Sequence, residues 1–494
     1  MGTKQFLALL EVDKIQSYIF ATNELKEIRG ASYLLSEINE KKTMDILKFD
    51  YNAAKPILSI GGVTKVIFND ENDADEFLKE MEEIYRQELV SITVTTHREP
   101  INGDFSAALA KGEKAIRRKK ESKQYSYPLN SSPYYKRCAL CGIYPAECES
   151  YDKNEEKYDL LCASCSVKRD KSKKWLDIHT DIKEKFKAND KVVKDFSIKF
   201  NQIGDASRKE GYMGFIMADA NRMGEKIRKI QNQNKLKKFA EEVSKINKRC
   251  LVDAIWNAFE NFKDNVLPVN ILILGGDDMM MVTTAETAIE IALEYCDKFQ
   301  KATKDNLDTP EEISISAAVV IAKDSYPINS YVALGEELLK SAKKKSREYL
   351  ETGKEVGTID YKVVTAAFSE SIKITRKKDR YYEKDYNKFL LTFKPYSLED
   401  MRKLINFGAK FKEKQFPRNK IKSFENILRR GKEASILEFL TMKSRLSNGQ
   451  KDIMNTFLTD FNMIDQMPWR KKDDRYESNL LDLVEIYEIL GDVK

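Results

Sequence analysis

One four-residue run in the middle of the chain has the residue types needed to hold metal ions for phosphoryl transfer. The run Gly275-Gly276-Asp277-Asp278 lies between apolar segments 269–274 and 279–282, a pattern that predicts a β-hairpin with two carboxylates at its tip. The glycines permit a tight turn and leave space for a phosphate, and Mg²⁺ prefers carboxylates together with substrate phosphates. Asp219 ends another apolar segment, 214–219, so neighbouring strands would bring three carboxylates together as a two-metal site for Mg²⁺ or Mn²⁺.

A surface turn with solvated aspartates is the alternative interpretation of this run. Asp219 favours the functional one, and so does a basic helix predicted over 330–346. Its end carries four lysines that could meet a triphosphate, since phosphoryl-transfer sites usually supply cations: Lys340, Lys343, Lys344 and Lys345. A solvated helix C-terminus explains the same lysines, because cations suit that end of the helix dipole.

A cysteine cluster forms the second strong motif. Cys138-x-x-Cys141 and Cys162-x-x-Cys165 have the spacing of a structural zinc site with four thiolates, which is closed to catalysis. Cys148 lies between the two pairs and is either a spare thiol or an alternate ligand. A redox pair is the less favoured interpretation of the motif.

The elements around these residues occur twice in the same order: strand, helix, GG-hairpin, helix, strand. Gly61-Gly62 corresponds to Gly275-Gly276, which indicates an internal duplication of a ferredoxin-like palm unit. In the first unit the glycines precede Val63-Thr64, so that unit should lack a full two-metal site. Asp13, at the end of the first predicted strand, is expected to be a solvated turn residue.

We therefore expect an α+β fold with two palms, a zinc-binding insert and a C-terminal helical domain. Apolar patterning predicts strands at 5–12 and 91–96, a mostly helical segment over 224–262 and a mostly helical region from 371. The expected domains are listed in chain order: first palm 1–130, zinc-binding four-cysteine insert and helical linker 131–205, catalytic palm 206–368 and helical domain 369–494.

Composition excludes several other classes. The 494 residues contain only two histidines, which argues against HD-type and other histidine-dependent hydrolytic sites. No apolar run approaches the roughly 18 residues that span a bilayer, and no signal peptide is visible, so a cytoplasmic location without a membrane partner is expected. The net charge of +6 permits a nucleic-acid partner without requiring one. The basic stretch 116–124 is expected to face solvent.

Several of these runs together resemble the large, polymerase-like subunit of type III CRISPR effector complexes. The residues that carry the resemblance are EVDKIQSYIFATNELKEIRGASYLLSEIN, the paired CxxC motifs, FIMADANRMG, LILGGDDMMMV, AAVVIAKDSYPI and LGEELLKSAKKK. The resemblance implies synthesis of cyclic 3′–5′ oligoadenylates from ATP with release of pyrophosphate, in antiviral defence. It implies metal at Asp219, Asp277 and Asp278, and nucleotide contacts from Gly275, Gly276, Lys343 and Ser32.

The resemblance also implies partners: guide RNA, sibling subunits and target RNA as activator. Many members begin with an HD nuclease domain, whereas this sequence starts at the first palm, so DNA cleavage is not expected. Other readings stay open. They are a stand-alone synthase of another cyclic nucleotide, a diguanylate-cyclase-like enzyme, a template-dependent polymerase and a structural RNA-binding scaffold.

Overall fold

The computed structural model describes residues 4–123, 134–152, 156–306, 312–365 and 371–490. The expected domain boundaries at 130/131 and 368/369 lie outside these residues, as does position 124 of the basic stretch. Within them, no helix is long and apolar enough to cross a membrane.

The secondary structure follows the chain in four groups. The N-terminal unit contains β1 (Gln5–Val12), α1 (Ile15–Ile19), α2 (Leu25–Ser36), a π-helical turn (Glu37–Lys42), α3 (Thr43–Phe49), β2 (Lys55–Ile60), β3 (Val63–Phe68), α4 (Glu71–Leu89), β4 (Val94–Ile101) and α5 (Phe105–Ser122). The cysteine-rich insert and its linker contain β5 (Cys148–Asp152), β6 (Lys157–Leu161), α6 (Ala163–Lys171), α7 (Asp177–Lys187), β7 (Asp195–Phe196) and α8 (Phe200–Ala206).

The central unit contains β8 (Tyr212–Ala220), α9 (Met223–Arg228), α10 (Gln233–Phe259), β9 (Val266–Leu267), β10 (Val269–Gly275), β11 (Asp278–Thr284), α11 (Ala288–Asn306), β12 (Ile315–Lys323), α12 (Ile328–Glu351) and β13 (Thr358–Val363). The C-terminal region contains α13 (Ile372–Arg380), β14 (Tyr381–Lys384), β15 (Asn387–Leu390), β16 (Tyr396–Ser397), α14 (Leu398–Glu413), α15 (Arg418–Leu428), α16 (Lys432–Ser444), α17 (Asn448–Asp460), a 3₁₀ turn (Ile464–Gln466), β17 (Arg470–Lys472), β18 (Arg475–Glu477) and α18 (Leu480–Ile489).

Two sheets share one topology. The N-terminal sheet has the order β2-β3-β1-β4, and the first four strands of the six-stranded central sheet, β10-β11-β8-β12, repeat it. In both sheets the first strand of the unit (β1 or β8) lies between the second strand of the hairpin (β3 or β11) and the last strand (β4 or β12). This is the arrangement of a ferredoxin-like fold. The central sheet continues with β13, parallel to β12, and ends at β16. The expected α+β class with two palm-like units is therefore confirmed.

Successive side chains of β8 point alternately to the two faces of the central sheet, and this places Asp219 on one particular face. Phe215 and Met217 belong to the core shared with the N-terminal unit, whereas Ile216 and Ala218 belong to the core shared with the C-terminal helices. Because successive strand residues point to opposite faces, Asp219 lies on the face of Phe215 and Met217. That face also packs against α12, whose Tyr331 and Leu338 are members of the same core, so Asp219 is directed toward α12.

Some expected elements differ in the structure. The strand expected at 91–96 is Val94–Ile101, because Val90 has a φ of 60° and the chain is still turning before Val94. The helical segment 224–262 is two helices, interrupted between Arg228 and Gln233 and restarted by the Asn232 cap. The C-terminal region, expected to be helical, also contains a four-stranded sheet of order β14-β15-β18-β17, whose strands have only three or four residues.

One expectation of solvent exposure is wrong. Asp13 is only 4% exposed and accepts hydrogen bonds from Thr95 Oγ1 at 2.8 Å and Lys123 Nζ at 2.8 Å. The described part of the basic stretch is largely exposed, as expected, including Arg117, Arg118 and Lys119. Lys119 also donates to the Thr96 carbonyl at 2.8 Å, and Lys120 pairs with Glu11 at 2.9 Å. These lysines therefore fasten α5 to the N-terminal sheet because they satisfy groups at its edge.

Candidate functional site

Three carboxylates meet at the open end of the central sheet. Strands β8 and β11 are antiparallel neighbours with Met279 opposite Ala218, so the register, continued by one residue, places Asp278 opposite Asp219. Asp278 shares its face with Met280, on the side of the sheet where Asp219 also lies. Asp277 occupies the turn next to them. The structure thus brings Asp219, Asp277 and Asp278 together as the sequence predicts.

The carboxylates destabilise one another as anions. Burial raises the pKa of Asp277 to about 7, and the negative charge of Asp219 is the second largest cause of this shift. The same two causes raise the pKa of Asp278, although its side chain remains exposed to the adjoining cavity. The Lys343 ammonium opposes both shifts. With all three carboxylates ionised, the cluster would carry more negative charge than Lys343 alone neutralises, and a divalent cation would stabilise that ionised state.

Lys343 is the one of the four predicted lysines that the described residues place on this cluster. Its Nζ forms an ion pair with Asp219 and lies 3.5 Å from the Ala220 carbonyl. Helix α12 is held in position one turn later, where Asn221 Nδ2 donates to Ser346 Oγ at 3.1 Å. Lys345 instead pairs with Glu348 at 3.0 Å, and Lys344 is exposed.

The two GG-hairpins touch at their tips. Gly275 and Gly61 approach so closely that a Cβ on Gly275 would lie 2.6 Å from the Gly61 Cα. Gly62 and Gly276 have φ values of 80° and 58°, in the left-handed region that favours glycine. The degenerate first hairpin is therefore a direct support of the acidic one.

Each hairpin is also held by a buried asparagine from a neighbouring helical segment. Asn39 Oδ1 accepts from the Gly62 amide at 2.9 Å. Asn247 Nδ2 donates to the Gly276 carbonyl at 2.8 Å and its Oδ1 accepts from the Tyr295 hydroxyl at 2.9 Å. Both asparagines are 1% exposed. The sequence analysis missed them; their signal is an amide at a position where helical periodicity expects an apolar residue.

A cavity of about 380 Å³ lies between the two hairpins and α2. Asp278 and Gly275 line one side, and Gly61 and Gly62 line another. Ser32, predicted to contact a nucleotide, is also in its wall. The remaining polar lining comes mainly from the N-terminal unit: Lys14, Gln16, Ser17, Ser36, Asn39 and Glu40. The cavity thus joins the acidic cluster to the first palm-like unit.

The cysteines form a separate cluster on the insert. The Sγ atoms of Cys138, Cys141, Cys162 and Cys165 all lie within 4.8 Å of one another. Tetrahedral zinc with Zn–S bonds of about 2.3 Å requires sulfurs roughly 4 Å apart, so this donor set fits zinc. Cys148 lies outside the group, with its Sγ 3.5 Å from the Leu161 carbonyl.

Residues 212–351, which include the acidic cluster and Lys343, match the family described as Cas10/Cmr2, second palm domain. This part of the chain is therefore similar to the second palm domain of Cas10/Cmr2. Csm1 of T. onnurineus matches the fold of this chain with a TM-score of 0.59 and 14% identity, over 99% of this chain and 70% of that one. A Csm1–Csm4 cassette in complex with cA4 gives 0.60 and 13% over the same shares. A cassette with one ATP gives 0.59 and 14%, again over 99% and 70%. No curated protein matches significantly.

These matches confirm the predicted resemblance to the type III polymerase-like subunit and the predicted palm fold. The predicted group of four cysteines is also present as a site that could bind zinc. The roles of individual residues and the domain boundaries stay predictions.

Proposed function

We propose that this Cas10-like chain is a metal-dependent nucleotidyltransferase that converts ATP to cyclic 3′–5′ oligoadenylates with release of pyrophosphate. We propose that it does so in type III CRISPR-type defence. The observation that carries the proposal is the cluster of Asp219, Asp277 and Asp278 facing a cavity walled by the other palm-like unit. Two solved relatives of the same fold are bound to ATP and to cA4, respectively.

We assign metal and phosphate binding to the side of the cavity that carries the acidic cluster. Asp219, Asp277 and Asp278 would hold Mg²⁺ or Mn²⁺, which when bound stabilises negative charge on the transferring phosphoryl group. Gly276 leaves space for phosphate oxygens, because a Cβ there would meet nothing within 4 Å, whereas the space beside Gly275 is occupied by Gly61. Lys343, already beside Asp219, is positioned to neutralise charge on the leaving pyrophosphate.

The other side of the cavity would hold the nucleotide that supplies the attacking 3′-hydroxyl. Its wall is formed by the N-terminal unit, including Ser32 and the Gly61-Gly62 hairpin. The contact between Gly61 and Gly275 keeps the two walls in fixed register, so an acceptor hydroxyl and a donor α-phosphate can be brought together.

The deciding experiment incubates the purified full chain with Mg²⁺ or Mn²⁺ and each nucleoside triphosphate in turn, with products identified by mass spectrometry. Cyclic or linear 3′–5′ adenylates from ATP support the proposal. A cyclic product from another triphosphate would favour the stand-alone synthase of a different messenger. The same assay is repeated with guide RNA, sibling subunits and target RNA, the proposed activating partners.

The matched variant is Asp277→Ala combined with Asp278→Ala. Product formation should disappear while the thermal melting curve stays within a few degrees of the parent, because both residues lie at a hairpin tip outside the apolar cores. Undiminished turnover in this double variant would overturn the site assignment. If neither parent nor variant forms product even with the partners and target RNA, the scaffold interpretation is favoured.

A further inference from the structure

Helix α6 of the cysteine-rich insert is fastened to the first palm-like unit at the helices that line the catalytic cavity. Its first turn carries Cys165, one of the group of four cysteines. Near its other end, Arg169 pairs with Glu27 of α2 at 2.8 Å. The backbones of the two helices also touch, because a Cβ on Gly30 of α2 would collide with the Lys168 carbonyl. The insert is therefore packed directly on α2, whose Ser32 lines the cavity.

Lys168 is a buried cation that reaches from α6 to α1. The residue is 1% exposed, and its Nζ donates to the Tyr18 carbonyl at 2.6 Å and lies 3.9 Å from the centroid of the Tyr18 ring. Burial lowers the pKa of Lys168, whereas the negative charge of the nearby cysteine thiolates, Cys165 first, acts in the opposite direction. A buried ammonium is costly unless such groups surround it, so its contact with Tyr18 is specific.

The Tyr18 carbonyl needs a donor from outside its own helix. Helix α1 has only five residues, and the last four carbonyls of a helix lack intrahelical partners. Lysine side chains can satisfy such carbonyls, and Lys168 does so here from a different part of the chain. Ser17 and Ile19, which flank Tyr18 in the sequence, both line the catalytic cavity. The Lys168 ammonium thus fixes the piece of backbone between two cavity-lining residues.

We propose that Lys168 is a positioning residue for the acceptor nucleotide, through which the cysteine-rich insert controls nucleotide binding on the first-palm wall. Lys168 acts indirectly, through Ser17 and Ile19. The inference rests on the proposed function, in which this wall holds the nucleotide that supplies the attacking 3′-hydroxyl. Because the acidic cluster lies on the opposite wall, loss of the Lys168 bond should change nucleotide affinity more than chemistry.

Zinc would link this support to the metal content of the insert. A metal bound by the four thiolates holds Cys165 and the preceding Cys162 together, and these two residues frame the start of α6. Removal of zinc releases that end of the helix and with it the anchor of Lys168. We therefore expect the backbone of α1 to loosen when zinc is removed.

The test compares Lys168→Met with the parent full chain. Methionine fills the buried space but cannot donate to the Tyr18 carbonyl, and an apolar replacement of similar volume for a buried cation is often neutral for stability. Isothermal titration calorimetry with ATP is done without Mg²⁺ or Mn²⁺, because the acidic cluster holds a triphosphate only through a bound cation. We expect the affinity to fall about fivefold. With Mg²⁺ present, KM should rise by the same factor while kcat stays within about twofold of the parent.

Tyr18→Phe is the matched control. The Tyr18 hydroxyl has no hydrogen-bond partner among the described residues, and the variant keeps the ring and the backbone carbonyl that Lys168 contacts. It should bind ATP like the parent. The affinity for Mn²⁺, measured by electron paramagnetic resonance, should be the same in all three proteins. Equal ATP affinity in Lys168→Met and the parent, or an equal loss in Tyr18→Phe, would overturn the positioning role.

A measurement on the parent covers the case in which Lys168→Met fails to fold. Hydrogen exchange of the Tyr18 and Phe20 amides, which donate to carbonyls of α1 and its cap, is followed before and after a chelator removes zinc. We expect both to lose protection together with α6, while α12 keeps its protection. Unchanged protection of these two amides in a zinc-free insert would overturn the inference. A parent that neither binds ATP nor forms product contradicts the proposed function itself, and the positioning role falls with it.

Discussion

Gly275 of the acidic hairpin and Gly61 of the degenerate hairpin meet backbone to backbone, so that a Cβ on Gly275 would lie 2.6 Å from the Gly61 Cα. A Cβ on Gly275 would force the two hairpins apart, whereas a Cβ on Gly61 would lie 3.5 Å from Gly275, which is an ordinary contact distance. The first palm-like unit has no acids in its hairpin but makes this contact, and it therefore sets where Asp277 and Asp278 stand relative to the cavity between the two hairpins.

Gly275→Ala should reduce synthesis by about a hundredfold, since small displacements of positioned groups have effects of that order. The Cβ displaces the hairpin tip without touching either core, so the melting temperature should change little. Gly224→Ala is the control, because a Cβ there meets nothing within 4 Å. Wild-type turnover in Gly275→Ala would show that the hairpin contact does not position the carboxylates.

Asn247 should matter more to rate than to ATP binding. Asn247→Ala removes the donor to the Gly276 carbonyl, and we expect kcat to fall at least about tenfold with a smaller change in KM. Tyr295→Phe removes only the bond to Asn247 Oδ1 and should have a weaker effect. Steady-state kinetics on both variants give the comparison. Equal losses of kcat in the two would mean that the damage is general rather than at the hairpin.

The local parts of this site are readable from sequence, and the long-range parts are not. Gly-Gly between apolar runs predicts both hairpins, since turn chemistry is a property of adjacent residues. The contact of Gly61 with Gly275, however, joins positions far apart in the chain and depends on how two units pack. Likewise, the hydrogen bonds of Asp13 with Thr95 and Lys123 join residues that are distant in the sequence and form only when the chain folds. The C-terminal sheet was missed because strands as short as Arg470–Lys472 have too few residues to show alternation.

Lys343 competes with a bound cation for Asp219, and its removal should separate binding from chemistry. In Lys343→Ala, Mn²⁺ should bind more tightly because one positive charge has left the cluster. Synthesis should nevertheless fall by about a hundredfold, as when a charge-stabilising donor is lost. Lys344→Ala is the matched control, since that neighbour is exposed. Weaker Mn²⁺ binding in Lys343→Ala would contradict the competition.

The zinc assignment predicts a difference between cysteines in one cluster. Cys165→Ser should lower zinc content, measured by mass spectrometry of the metal, and reduce the melting temperature by several degrees because a thiolate ligand is lost. Cys148→Ser should keep the zinc content and the melting temperature of the parent, since Cys148 lies outside the group of four cysteines. Release of no zinc from denatured wild-type protein would rule out the assignment.

His179 should make folding sensitive to mild acid. The ring is 1% exposed between Trp175 and Phe196, with centroids 4.7 and 4.8 Å away, and Nε2 has no partner among the described residues. Burial lowers its pKa to about 3. Because the folded pKa lies below the unfolded value of about 6.5, the stability contribution is present above that value and is lost as pH falls toward 3. The free energy of unfolding should therefore drop by about 2 kcal/mol between pH 7.5 and pH 5.

His179→Phe should abolish that part of the pH dependence, because phenylalanine keeps the aromatic packing and cannot be protonated. His97→Gln is the control: it removes the chain's other histidine, which pairs with Glu99 at 3.0 Å at the edge of the N-terminal sheet. Urea unfolding at the two pH values measures both variants against the parent. An identical drop in His179→Phe and the parent would place the acid sensitivity elsewhere, since no proton could then be entering the aromatic pocket that joins the insert to α2.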